Sequence, residues 1–308
     1  MSVLLYTHAD MLGHRPGDGH VERPERLTAV LDALGDATNL DLESREAPLV
    51  DEADLARVHP RAFLEGVRAV APTQGVAALD PDTWLSPGSL DAARRAAGAV
   101  VAAVRGVAAG ETDRAFCAVR PPGHHAEPGV AMGFCVFSNV AVAAKAAQAA
   151  GLKRVAVIDF DVHHGNGTQA VFEADPDLFF GSIHQWPLYP GTGHPSERGV
   201  GNIFNALVPP GASRELWRRQ FETVVQAADA FAPDLVIISA GFDAHRRDPV
   251  GGADQDLEEA DFGWATTALV RLAQARAKGR VVSSLEGGYD LAALGRSAVA
   301  HVEALQDG

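Results

Sequence analysis

The 308-residue sequence predicts an α/β protein: a single domain, residues 1–308, built on a central, mostly parallel sheet with helices on its faces. Three observations predict it. Short apolar or β-branched runs alternate with longer stretches of helical periodicity, as crossover-connected strands require. A polar, glycine-rich motif directly follows four of those runs. The length fits one large domain, and neither repeat nor low-complexity linker divides it.

The strand runs are Val3–Tyr6, Ala115–Val119, Val155–Phe160, Leu178–His184, Leu235–Ser239 and Arg280–Leu285, with weaker candidates at Leu55–Val58 and Ile203–Val208. Leu27, Val30, Leu31 and Leu34 follow the i, i+3, i+4, i+7 spacing of an amphipathic helix, as do Phe63, Leu64, Val67 and Val70. Further helices are expected over Ser89–Ala109, Ser138–Ala150, Arg214–Phe231, Glu258–Ala277 and Leu291–Leu305, several opening near a Ser or Asp.

Charge restricts the partners. Asp and Glu outnumber Lys and Arg 40 to 26, a net charge of −14 that would repel nucleic acid and anionic membranes and attract a cationic substrate. Cys117 and Cys135 are the only cysteines, which excludes a disulfide framework and suits a reducing compartment. The amino terminus lacks a basic export region, and no apolar stretch of about 20 residues is present to span a bilayer, so a soluble, cytoplasmic protein is expected. The basic residues include only three lysines, Lys145, Lys153 and Lys278; this bias and the high alanine content suggest a GC-rich bacterial genome.

The four motifs are RPPGHHA after Ala115–Val119, DVHHGNG at the end of Val155–Phe160, SAGFDAHRRDP after Leu235–Ser239 and EGGYD after Arg280–Leu285. In a parallel sheet the carboxyl ends of the strands share one edge, where ligands bind. The strand period of two places Asp159, Asp161 and His163 on one face. Two carboxylates and an imidazole there call for a cation, and Asp and His are oxygen and nitrogen ligands that zinc accepts at about 2.0–2.2 Å. The alternative is a salt-bridged turn. A third ligand must come from another strand end, where Asp243, His245 and Asp248 compete. The loop after Asp248, with Pro249, Gly251 and Gly252, suits a fixed backbone, but residue chemistry alone does not separate Asp248 from Asp243.

His124 and His125 sit in a loop stiffened by Pro121 and Pro122. Imidazole suits the base that takes a proton from water and the acid that returns it to a leaving amine. Asp159 and Asn166 are available to orient them, and a carboxylate partner favours the imidazolium where an amide does not. Tyr289, behind Gly287 and Gly288, could donate its hydroxyl to an oxyanion.

Together with GFCVFSNVAVAA and SIHQWPLYPGTG, these motifs resemble the histone deacetylase family in order and spacing over nearly the whole chain. GHVERPERL and Asn166, in place of Asp, are similar to the class II branch and its bacterial relatives. The resemblance implies an arginase/deacetylase-like fold with eight parallel strands. It implies one catalytic Zn²⁺ on Asp161, His163 and Asp248, a general base and acid at His125 with Asn166, an electrostatic partner at His124 with Asp159, and a transition-state tyrosine at Tyr289. It places Gly133, Phe134, Tyr189 and Gly288 around the acyl-amine substrate. It implies structural potassium on Asp159, Asp161, His163, Ser182 and Ile183, and a second on Phe172, Asp175, Leu178 and Phe204. The implied partner is an acylated amine, either an acetyl-lysine protein or a small acetylated amine. Asp80 and Asp82 are candidate rim contacts.

Two rival readings make demands that this sequence does not meet. A binuclear manganese ureohydrolase on a similar fold needs D-x-H-x-D, and Gly165 stands where its last carboxylate would be. A non-catalytic acyl-amine binder predicts a damaged site, and no motif here is damaged.

Overall fold

Each apolar run that ends in a glycine-rich motif becomes a strand buried along its whole length, so the sheet is covered on both faces. The computed structural model describes residues 2–248, 250 and 252–308. In chain order the strands are β1 (Val3–Thr7), β2 (Leu42–Glu46), β3 (Ala77–Ala78), β4 (Trp84–Leu85), β5 (Arg114–Cys117), β6 (Val155–Asp159), β7 (Leu178–Gln185), β8 (Ile203–Val208), β9 (Leu235–Ala240) and β10 (Val281–Leu285). The helices are α1 (Glu25–Asp36), α2 (Glu52–Leu55), α3 (Arg61–Val70), α4 (Ser89–Ala109), α5 (Asn139–Ala149), α6 (Asn166–Phe172), α7 (Arg214–Phe231), α8 (Glu259–Arg276) and α9 (Leu291–Asp307).

Eight strands form one parallel sheet in the order β2-β1-β5-β10-β9-β6-β7-β8, while β3 and β4 pair as a short antiparallel ribbon. Helices α4 and α5 pack together, and α1, α9, α8 and α7 pack in a row. The four strands that carry the motifs, β5, β10, β9 and β6, are consecutive neighbours, so their carboxyl ends form one contiguous edge. No helix among the described residues is long and apolar enough to cross a membrane.

The short elements β3, β4, α2 and α6 were not foreseen, and two further differences have a clear physical reason. Leu55–Val58 is not a strand: α2 ends at Leu55, and both Leu55 and Val58 are buried from a helical turn that brings residues three apart to one side. Strand β2, with the sequence LESRE, was not foreseen. Its side chains are mostly exposed, because it is an edge strand held by its backbone ladder to β1 and not by an apolar face.

Candidate active site

Three side chains converge where β6 and β9 end. His163 Nδ1 lies 3.1 Å from Asp161 Oδ1 and 3.1 Å from Asp243 Oδ2. All three residues are buried, and one potential ligand atom from each lies within 4.8 Å of the others. Neighbouring ligands of a tetrahedral zinc with arms of about 2.0 Å stand about 3.3 Å apart, so the spacing suits a metal. The backbone fixes the carboxylates: Asp161 Oδ2 accepts from Gly287 N at 2.9 Å and Asp243 Oδ1 from Val162 N at 2.9 Å. Gly287 is required at this point, since a Cβ there would sit 2.2 Å from Asp243 Oδ2 and 2.5 Å from Asp161 Oδ2. Burial opposes charge on His163, yet Asp161 and Asp243 prevail and push its pKa up to about 10. A field that holds a proton so firmly would hold a cation equally.

The resemblance implies Asp248 as the third ligand, whereas the potential ligand atoms that converge here include one from Asp243. Asp243, and not Asp248, joins Asp161 and His163. Asp248 is spent on the backbone: Oδ2 accepts from Tyr289 N at 2.5 Å and Asp290 N at 3.0 Å, and Oδ1 from Val250 N at 3.3 Å. It pins the loop that carries Tyr289. The physical reason is distance along the chain: Asp243 lies three residues beyond the end of β9, whereas Asp248 lies a further turn away. Pro249 and Gly251 lie outside the described residues. His245 Nε2 turns toward Glu259 Oε2 at 3.6 Å, so it is not a competitor either.

The adjacent histidines occupy opposite environments. His124 Nδ1 meets Asp159 Oδ2 at 2.9 Å. Its burial is outweighed by Asp161 and Asp159, which push its pKa up to about 10 and keep it an imidazolium. His125 Nδ1 meets Asn166 Oδ1 at 2.9 Å, and Asn166 Nδ2 donates to Glu127 Oε1 at 2.8 Å. Glu127 accepts only, so it orients the amide with its oxygen toward His125; Nδ1 then carries the proton and Nε2 is left as an acceptor. Burial, followed by the neighbouring His124 and His163, holds the His125 pKa well below the ordinary imidazole value.

A pocket of about 170 Å³ opens onto these groups, lined among others by His125, His163, Phe134, Tyr189 and Tyr289. The Tyr189 ring stands edge-on to His125 with centroids 5.0 Å apart, and Phe134 is edge-on to Tyr289 at 6.0 Å. Asp82 Oδ1 accepts from Gly133 N and Thr83 Oγ1 from Phe134 N, each at 3.0 Å. Asp82 therefore supports the aromatic wall as well as lining the pocket, while Asp80 Oδ1 accepts from Asp82 N at 3.1 Å. Gly133 has φ +57, and a Cβ on it would lie 2.3 Å from His125 Cδ2. Beside Gly288, Gly287 lines the pocket, and the Gly288 carbonyl accepts from Arg26 Nε at 2.6 Å.

Several buried charged residues around the site were not singled out in the sequence. Arg26 also donates to the Glu286 carbonyl, and its guanidinium lies 4.8 Å from the Tyr289 ring centroid. Glu22 pairs with Arg26 at 3.1 Å and Arg120 at 2.6 Å. Glu286 is buried, with Oε2 accepting from Gly123 N at 2.7 Å and His124 N at 3.2 Å; burial pushes its pKa up to about 7. Glu286 directly follows β10, and Glu22 and Arg26 are charges just before and within the first turn of amphipathic α1. Those misplaced charges were the available signal.

The first potassium set spans adjacent strands, with Asp159 of β6 beside Ser182 of β7 in the ladder. Ile183 follows on β7, and Asp161 and His163 continue from β6. The second set lies around the turn between α6 and β7. The carbonyls of Phe172, Asp175 and Leu178 converge on the Asn202 side-chain amide, and Phe204 lies two residues on in β8.

A family model described as the histone deacetylase domain matches residues 20–305. A histone deacetylase-like amidohydrolase of Pseudomonas aeruginosa is 41% identical over 299 residues, covering 93% of this chain and 77% of that protein. A probable deacetylase of Archaeoglobus fulgidus is 34% identical over 295 residues, covering 92% and 80%. A chloroplastic histone deacetylase 14 of Arabidopsis thaliana is 37% identical over 326 residues, covering 98% and 76%. The crystal structure of an HDA15 HD domain superposes with a TM-score of 0.91 at 35% identity, covering 99% of this chain and 91% of that one.

Proposed function

Because the chain belongs to the histone deacetylase family, we propose that it is a zinc-dependent amidohydrolase that cleaves the acyl amide of acetyl-lysine or a related N-acetylated amine. The observation that carries this reading is the buried Asp161, His163 and Asp243 cluster beside a pocket walled by Phe134 and Tyr189. Zinc held by those three residues would supply Lewis acidity, acidifying water and polarising an amide carbonyl.

The rest is the work of the chain. His125 Nε2 accepts the proton of the attacking water and afterwards gives it to the departing nitrogen, as the C–N bond breaks to release acetate and free amine. Tyr289, held as a neutral phenol by burial, donates to the developing oxyanion. His124, kept cationic by Asp161 and Asp159, adds positive charge beside the carboxylates and discourages a second proton on His125. Asp159, Asp161, His163, Ser182 and Ile183 are the residues that would hold a structural potassium ion. Phe134 and Tyr189 flank the acyl-amine, and Asp82 meets it at the rim.

Acetylpolyamines and longer acyl-lysines are the alternative substrates, and the net charge of −14 favours a basic molecule over nucleic acid or an anionic membrane. A cytoplasmic setting suits Cys117 and Cys135, which are buried and unpaired. The test is elemental analysis for one zinc per chain, inhibition by a hydroxamate, and steady-state rates on acetyl-lysine peptides, acetylputrescine, acetylspermidine and long-chain acyl-lysines. A zinc-loaded protein that hydrolyses none of them refutes the proposal.

A further inference from the structure

The turn between α6 and β7 surrounds a point that the chain fills with its own atom. Asn202 Nδ2 lies 2.8 Å from the Phe172 carbonyl, 2.9 Å from that of Asp175 and 2.7 Å from that of Leu178. An amide nitrogen carries two hydrogens, so three acceptors share two donors, an arrangement closer to a ligand shell than to ordinary amide pairing. The orientation is dictated. Asn202 Oδ1 accepts from Val200 N at 3.1 Å; a reversed amide would set Oδ1 among three carbonyl oxygens and its nitrogen against an N–H. The surroundings close over the group: Asn202 is buried, and a Cβ on Gly199 would lie 2.7 Å from Asn202 Oδ1.

We propose that Asn202 is a built-in replacement for the second potassium ion that the family resemblance implies, so that the chain binds no monovalent cation at these carbonyls. An ion and Nδ2 cannot share the position. The amide ties the end of α6, the following turn and the start of β7 to the loop before β8 without any dependence on salt. Helix α6 begins at Asn166, so the same pin steadies the partner of His125.

Anomalous scattering from crystals soaked in thallous acetate, with thallium as the probe for monovalent cations, tests this directly. The wild type is expected to show no thallium at the Phe172, Asp175 and Leu178 carbonyls; a peak there overturns the proposal, whatever the variants do. Asn202→Ala removes the side-chain donor shared by three buried carbonyls, of which Phe172 and Asp175 keep only their backbone partners, and is expected to lower the thermal midpoint by roughly 5–10 °C in potassium-free buffer. An unchanged midpoint also overturns it. Asn202→Asp replaces the donor with an acceptor that needs a cation, so potassium should raise its midpoint by at least ~3 °C more than it raises the wild type. Equal responses would show that the amide was not standing in for an ion.

Discussion

Removing each candidate third ligand in turn separates metal binding from loop support. Asp243→Ala takes away one of three converging ligand atoms, the one 3.1 Å from His163 Nδ1. Loss of an outer partner of a metal ligand costs about 10–100-fold in affinity, so loss of the ligand itself should exceed that. Asp248→Ala leaves the cluster intact but strips the acceptors from Tyr289 N, Asp290 N and Val250 N. Hydrogen bonds to a charged group contribute about 1.5–3 kcal/mol each; the loop is partly solvated, so roughly 2–4 kcal/mol in all is a reasonable expectation. The assay is zinc content after dialysis against a graded chelator, paired with urea unfolding. Asp243→Ala should lose zinc at chelator strengths the wild type withstands. Asp248→Ala should keep zinc, unfold at lower urea and turn over more slowly, because Tyr289 is no longer pinned. Zinc lost from Asp248→Ala with zinc retained by Asp243→Ala would refute the reading of the cluster.

Three further outcomes follow from the same geometry. Tyr289→Phe should reduce kcat by about 10²–10³-fold, the usual loss of an oxyanion donor, with zinc content unchanged; full activity would remove the hydroxyl from the mechanism. Gly133→Ala must displace His125, whose Cδ2 would stand 2.3 Å from the new Cβ, and a base displaced by about 1 Å should lower kcat on the order of 10²-fold; wild-type kcat would show that the wall yields instead. His59 Nε2 accepts from Ser138 N at 3.0 Å while Nδ1 meets the Pro128 carbonyl at 3.0 Å, so the fold uses the neutral ring, and burial lowers its pKa from 6.5 to about 4. The unfolded chain binds the proton first, so His59's contribution is intact above about pH 6.5 and declines as pH falls toward 4, by about 3 kcal/mol in all. Urea midpoints across that range for the wild type and His59→Gln check this, and equal slopes would exonerate His59.

What the sequence disclosed follows from which forces are local. Strand burial on both faces writes itself as apolar runs, which is why β6, β7, β9 and β10 could be placed to within a residue or so. Asp161 and His163 stood out as an Asp-x-His pair directly after an apolar run, although β6 ends at Asp159 and both lie in the bend beyond it, where a strand period of two no longer applies. Edge strand β2 was not, since its stability lies in backbone pairing to β1 that leaves no mark on its charged side chains. Asp243 and Asp248 share one loop and one side-chain chemistry, and only tertiary contacts tell them apart: Val162 N and His163 Nδ1 meet Asp243, while Tyr289 N and Asp290 N meet Asp248. A local hint existed: Gly241 precedes Asp243 at the strand end, and a Cβ there would lie 2.0 Å from Asp161 Oδ2.

The buried residues that sequence reasoning overlooked complete an electrostatic argument for the cation. Asp159, Asp161, Asp243 and Glu286 are all at most 1% exposed, and four buried carboxylates cannot remain ionised without compensation. Arg26 and Arg120 flank a single Glu22, leaving one net positive charge, and His124 supplies another. Two charges are still missing. Without a metal they must come from protons, as the elevated pKa values of Glu286, at about 7, and His163, at about 10, express. A divalent cation at Asp161, His163 and Asp243 would supply both, release the His163 proton, and leave His125 as the unprotonated imidazole beside the pocket. The Arg26, Glu22 and Arg120 network thus enters the charge balance of the buried cluster. It offsets part of the carboxylate charge that cations would otherwise have to balance, and it holds the glycine loop that carries Tyr289.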